Sequence, residues 1–224
     1  MSQFSTSFHP NYVLIHRWGQ KNETIVQGNC IFNLNMAIDL FDSTGSRKYL
    51  NQEERRSFEQ AAKEDEREVR TFCLMLLYSG CRISEALELT VKSIDFSSKS
   101  VIFRTLKKRG NKNVYRSVPL PDHFLDELNL VHNIKKEKNE NIRIWSWARA
   151  TASRKVDAVM QKANIKGAQA CPKGLRHGFV ITCLEKQIPL NMAQKWAGHS
   201  SLTTTAIYAN ALGPEERSIA SRLW

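Results

Sequence analysis

The stretch SIDFSSKSVIFRTLKKRGNKNVYRSV, residues 93–118, is where the periodicity of the chain changes. Three short runs within it, Ser93 to Phe96, Ser100 to Arg104 and Val114 to Val118, carry the alternation and the β-branched and aromatic residues of strands. Turn-rich pieces separate them, and Pro119 and Pro121 close the last one. Three strands this short, joined locally, predict one small antiparallel sheet.

Outward from this sheet the chain reads as helix. On the N-terminal side Asn51 is placed to cap a helix, with Glu53 and Glu54 in its first turn and Phe58, Ala61 and Ala62 on one face. Glu66 to Tyr78 predicts a second helix, Ser79-Gly80-Cys81 breaks it, and Arg82 to Leu89 opens a third. On the C-terminal side helices are expected at Asp122 to Val131, Ala150 to Lys162, Lys173 to Lys186, Asn191 to Ala197, Ser201 to Asn210 and Pro214 to Trp224. The fold class is therefore mainly α with a small antiparallel β-sheet. Upstream, Met1 to Pro10 reads as polar and loose, Ile31 to Phe41 as a short helix, and Asp42 to Lys48 as a linker. Two segments are expected: residues 1–47, a short N-terminal segment and linker, and residues 48–224, a larger domain.

Composition narrows the partners. The 224 residues carry a net charge of +11, which works against compaction and is tolerated most readily beside a polyanion. The longest strongly apolar run, Phe72 to Tyr78, is far short of the roughly 20 residues a membrane span needs. Cys30, Cys73, Cys81, Cys171 and Cys183 are scattered, with no Cys-x-x-Cys pair, which points to a reducing cytoplasm and to no zinc site. No metal and no cofactor are expected.

Four clusters could carry chemistry. Arg82-Ile83-Ser84-Glu85 puts an arginine at a helix start, where its fork and the helix dipole both suit a phosphate, with Glu85 one turn on to hold the guanidinium; a plain surface ion pair is the alternative. Arg104 to Lys112 is a basic hairpin tip suited to a DNA groove, or a solvated turn. Lys173 and Arg176 lie three apart on one helix face and can reach one phosphate, whereas His177 is read as pointing elsewhere and structural. In Trp196-Ala197-Gly198-His199-Ser200-Ser201-Leu202-Thr203-Thr204-Thr205-Ala206-Ile207-Tyr208, Gly198 ends one helix and Ser200 or Ser201 caps the next; Tyr208 by itself reads as a packing residue.

Taken together, these clusters resemble the phage integrase, or tyrosine recombinase, family. Gly198-His199 followed by Tyr208 resembles its C-terminal box, Ser79-Gly80-Cys81-Arg82-Ile83-Ser84-Glu85 its Thr-Gly-x-Arg-x-x-Glu, Val118-Pro119 the end of the strand after its hairpin lysine, and Lys173-Gly174-Leu175-Arg176-His177 its His-x-Leu-Arg-His. The order and spacing agree across residues 48–224. The resemblance implies the catalytic-domain fold of that family and a site-specific recombinase that cleaves and rejoins DNA strands through a 3′-phosphotyrosine. Arg82 and Arg176 would clamp the scissile phosphate, Glu85 would orient the site, Lys107 (or Lys108) would protonate the leaving 5′ oxygen, His199 would bond the phosphate and Tyr208 would attack it. Lys108, Arg109 and Lys112 would contact DNA.

Two departures stand out. Lys173 replaces the family's first histidine and is a poor base near neutral pH unless its pKa falls. The N-terminal DNA-binding arm is expected to be reduced or missing. The implied partners are double-stranded DNA, a homo-tetramer on synapsed DNA and an accessory DNA-bending protein. A non-catalytic DNA-binding regulator of the same fold and a swivel-type topoisomerase are the rival readings.

Overall fold

The computed structural model describes the backbone of residues 5–9 and 12–16, then residues 40–105 and 114–199, and Thr205, Tyr208, Arg217, Ala220 and Ser221. The chain divides into two compact units, Met1–Ala37 and Ile38–Trp224.

In the first unit, β1 (Ser5–His9) pairs antiparallel with β2 (Tyr12–His16), with Ser5 opposite His16 and His9 opposite Tyr12. This corrects the expectation of a loose Met1 to Pro10. The partner strand, Tyr-Val-Leu-Ile-His, is a run of high β propensity, and a polar strand beside it gains a full ladder of backbone hydrogen bonds.

The second unit begins with a turn over 42–46. The Asp42 carboxylate accepts from the Thr44 and Ser46 backbone N–H groups at 2.8 and 2.9 Å, and Phe41 bridges to Arg47. Helix α1 (Gln52–Lys63) starts on a capping box: the Asn51 side chain accepts from Glu54 N–H at 2.8 Å while the Glu54 carboxylate accepts from Asn51 N–H at 3.0 Å. Such a cap contributes about 1 kcal/mol. Phe58, Ala61 and Ala62 form its buried face, as their spacing predicts.

Helix α2 (Arg67–Ser79) is the axis of the domain and packs against α1 and against later helices. Phe72 on this helix makes edge-on contacts with Trp145 and Trp147 at 5.2 and 5.4 Å. Truncating so buried a ring costs roughly 3–5 kcal/mol. The helix stops at Gly80, whose φ of 59° is left-handed; a Cβ there would meet the Phe179 ring at 2.3 Å, so both conformation and space demand glycine. The short α3 (Ile83–Leu87) follows at once.

The predicted sheet forms from β3 (Ile94–Asp95), β4 (Ser100–Arg104) and β5 (Tyr115–Pro119), in that order and antiparallel throughout. The first strand is shorter than Ser93 to Phe96, because Val91–Ser93 forms a 3-10 turn. Val101 lies opposite Val118 and Phe103 opposite Arg116, all four on the buried face. The remaining helices are α4 (Asp122–His132), α5 (Arg149–Lys162), α6 (Pro172–Glu185) and α7 (Leu190–Ala197). Helix α6 takes Cys171 as its N-cap residue and Pro172 in its first turn.

Buried apolar side chains form two clusters. The larger gathers α1 to α5 and the sheet; the smaller gathers Leu40, Tyr49, α6, α7 and Tyr208. Leu175 belongs to the first and Phe179 to the second, so Arg176 and His177 lie at the seam. Most of the expected helix over Ile31 to Phe41 lies outside the described residues. So do most of Ser201 to Asn210 and Pro214 to Trp224, although Thr205, Arg217 and Ala220 are helical. No helix among the described residues is long and apolar enough to cross a membrane.

Candidate active site

The site is assembled around one carboxylate. Glu85, only 2% exposed, accepts from Arg82 at 2.8 Å and from Arg116 at 2.6 and 3.3 Å. It also accepts from Arg82 backbone N–H at 2.9 Å, closing the first turn of α3. Burial alone would push this carboxyl up; the hydrogen bond and charge of Arg116, with help from Arg82, bring it below the ordinary value. It is therefore ionised and doubly paired.

Arg116 is a member of the site that the sequence reading missed. Its guanidinium lies over the Phe103 ring at 4.9 Å and donates to the Trp196 carbonyl at the end of α7 at 2.9 Å. It thereby ties the sheet, α3 and α7 together. The helix end is shaped for it: Gly198 has φ of 67°, and a Cβ there would stand 2.9 Å from the Arg116 guanidinium.

Helix α6 supplies the third arginine. Arg176 is 7% exposed and donates to the Gly80 carbonyl at 2.9 Å, which locks α6 onto the α2–α3 break. Its Nη2 is buried and has no partner among the described residues. Burial, followed by the charge of Arg82, lowers Arg176 to about 10, so it stays cationic at neutral pH. Two guanidiniums thus pair with a single carboxylate, and a third, that of Arg176, feels its charge. A partly buried site left with two uncompensated positive charges is built to take an anion.

Tyr208 is 1% exposed and belongs to the smaller core cluster. Its phenol oxygen is 2.6 Å from His177 Nδ1. This corrects the reading of His177 as pointing elsewhere. Being one residue after Arg176 turns it off the arginine's face, but α6 is buried on nearly every side, and the neighbouring face meets Tyr208. The His199 ring is nearly parallel to the tyrosine ring, 6° between planes and 5.9 Å between centroids, and its Nδ1 is 2.9 Å from Thr205 Oγ1.

Both histidines are held neutral. Burial, then Lys173, Arg176 and Lys48, lowers His177 to about 4; burial, then Arg176 and Arg82, lowers His199 to about 3. Burial raises the Tyr208 phenol to about 12, opposed by Arg176 and Arg82. Arg176 Nη2, His177 Nε2 and His199 Nε2 are all buried and unpartnered among the described residues. Buried polar groups of this kind are rarely left idle, and three in one place mark where a ligand's acceptors belong.

Lys173 is exposed in the first turn of α6, and its charge bears on His177. Lys107, Lys108, Arg109 and Lys112 lie outside the described residues; at the base of their hairpin, Arg104 pairs with Glu88 at 2.7 Å. An open cleft of about 450 Å³ runs from that base across Arg82, Arg116, Gly198 and His199 to Gln194 and Lys195.

Comparison with known proteins places this arrangement. Tyrosine recombinase XerA of Pyrococcus furiosus is 25% identical over 181 residues, which cover 78% of this chain and 61% of that protein. The chain thus spans less than two thirds of that relative's length. A crystal structure of a XerA recombinase superposes with a TM-score of 0.65 at 23% identity, covering 78% of this chain and 64% of the other. A XerH site-specific recombinase bound to its difH substrate in a pre-cleavage complex gives 0.64 at 20% identity, covering 82% and 59%. At those identities the structures speak for the fold, which is that of recombinase catalytic domains. Residues 48–213 match the phage integrase family along most of the chain, and the protein belongs to that family.

Proposed function

We propose that this protein is a tyrosine-type site-specific DNA recombinase, which cleaves and rejoins DNA through a 3′-phosphotyrosine at Tyr208. The carrying observation is the pair of arginines on one buried carboxylate, with the unpartnered Nη2 of a third, Arg176, whose charge reaches a buried tyrosine phenol. Arg82 and Arg176 hold the non-bridging oxygens of the scissile phosphate, and Glu85 with Arg116 fixes the guanidinium of Arg82. His199 is neutral; with Nδ1 accepting from Thr205 its Nε2 carries a proton and donates to the phosphate. Lys107, or Lys108 beside it, protonates the leaving 5′ oxygen. Lys173 at the rim adds positive charge, and Lys108, Arg109 and Lys112 grip the duplex.

Residues 48–224 serve as the catalytic domain and residues 1–47 as an N-terminal segment, whose last stretch from Leu40 packs with that domain. The XerH complex supports double-stranded DNA as the substrate class. Four protomers act on two synapsed duplexes in the cytoplasm, with an accessory DNA-bending protein assisting. The phosphotyrosine conserves the energy of the cleaved bond, so the reaction calls for neither nucleotide nor metal, and cleavage proceeds in EDTA.

The test is Tyr208→Phe on a nicked suicide substrate. The wild type becomes covalently attached to the DNA; the variant does not, yet binds within a few-fold. Covalent complex persisting in Tyr208→Phe would place the nucleophile elsewhere.

A further inference from the structure

The reading above leaves the phenol proton without a destination. Lys173 stands where the family pattern has a histidine, and it is exposed and makes no hydrogen bond among the described residues. From the 2.6 Å contact at the seam of the two cores, we propose that His177 is a catalytic residue: its Nδ1 accepts the proton of Tyr208 as the phenol oxygen attacks phosphorus, and returns it on rejoining. The inference rests on the recombinase reading and goes beyond it by assigning the proton acceptor which that reading leaves open.

The geometry meets the first requirement for a general base, a direct contact of 2.6 Å with the proton it takes. The imidazole is buried and neutral, so a lone pair is available. With the ring proton on Nε2, Nδ1 faces the phenol as acceptor. No carboxylate or other anion makes a hydrogen bond to the Tyr208 oxygen among the described residues, and the other ring beside it, His199, is turned to Thr205.

The step balances. The Tyr208 O–H bond breaks and its proton moves to His177 Nδ1; the phenol oxygen bonds phosphorus; the phosphorus–5′ oxygen bond breaks; and the leaving oxygen takes a proton from the hairpin lysine. Rejoining runs the same transfers backwards, so His177 ends each cycle as it began.

The charge around His177 makes this base depend on substrate. Burial first, then Lys173 and Arg176 on its own helix and Lys48 before α1, hold it neutral. On the side of the C-terminal segment it meets Tyr208, against whose ring His199 stacks, and Arg82 adds charge to both of those groups from α3. A phosphate seated on Arg176 and Arg82 cancels part of this field. The imidazole then becomes more basic just when the nucleophile has something to attack.

Single-turnover cleavage of the suicide substrate tests this in the full chain. His177→Asn keeps a polar atom near Nδ1 but takes up no proton at neutral pH. It should bind DNA within a few-fold of wild type and form covalent complex about a hundredfold more slowly or worse. Wild-type cleavage should level off by about pH 8, as a histidine base requires. Near-wild-type cleavage by His177→Asn would reduce the contact to positioning and overturn the assignment. A wild-type rate still climbing through the range where lysines deprotonate would overturn it too, in favour of Lys173, and that profile decides the matter even if the variant misfolds. If the wild type makes no phosphotyrosine at all, the recombinase reading fails, a result distinct from either.

Discussion

His132, half-buried, and His177, buried, are both lowered to about 4, and they do opposite things with the same shift. His132 ends α4, meets Thr71 Oγ1 at 2.9 Å and stands edge-on to Trp145 at 5.5 Å. Its shift comes from burial alone. Around His177 three cations share in the shift, its Nε2 has no partner among the described residues, and its Nδ1 meets the phenol. A perturbed pKa therefore does not mark a site by itself. Uncompensated charge and unfilled hydrogen bonds beside it do.

The comparison breaks most readily at the neighbour of His177. Arg176→Ala should lower cleavage about a thousandfold while weakening DNA binding only about tenfold, since charge concentrates on the phosphate oxygens in the transition state. Arg55 is the control, because burial also lowers it to about 10 but its fork is spent on the Leu77 and Leu175 carbonyls. Arg55→Ala should cost stability, with the folded fraction still cleaving. Equal losses of cleavage and binding in Arg176→Ala would demote that arginine to a docking contact.

Stability should be affected next. Glu85→Gln leaves two guanidiniums with a neutral partner, one of them 6% exposed, and should destabilise by about 3–5 kcal/mol in denaturant titration. A loss under 1 kcal/mol would show that the arginines re-pair or reach water.

Acid should act on both histidines alike. Their folded pKa values lie below the unfolded value of 6.5, so the stability they contribute is complete above pH 6.5 and declines as pH falls toward 4. Each contributes on the order of 2–3 kcal/mol over that window, and thermal melts from pH 7 to 4 would follow it. Millimolar inorganic phosphate should then separate them. In an NMR titration it should raise the pKa of His177 and leave His132 in place. Parallel movement would erase the distinction.

Much of this was legible in the sequence. The capping box at Asn51, the break at Gly80, the strand pair and the pairing of Arg82 with Glu85 all depend on neighbours a few residues apart. Arg116 was not read, because its partners are 31 and 80 residues away. A signal existed: in β5 it shares the inward face with Val118, and an arginine on an apolar face needs a buried carboxylate. His177 was misread by treating the face of α6 beside the arginine's as passive. In a helix buried on nearly every side, each face has a partner, and only the packing of Tyr208 reveals which.

The cap of α6 has a practical consequence. Cys73, Cys81 and Cys183 are buried, and burial pushes each thiol up, Cys81 to about 12. Cys171 alone among the described cysteines is partly open, at the head of the helix that carries Lys173, Arg176 and His177. In a Cys30→Ser background, a thiol-reactive fluorophore should attach there first, two residues from the rim of the site. The protein comes with its own attachment point for watching DNA arrive.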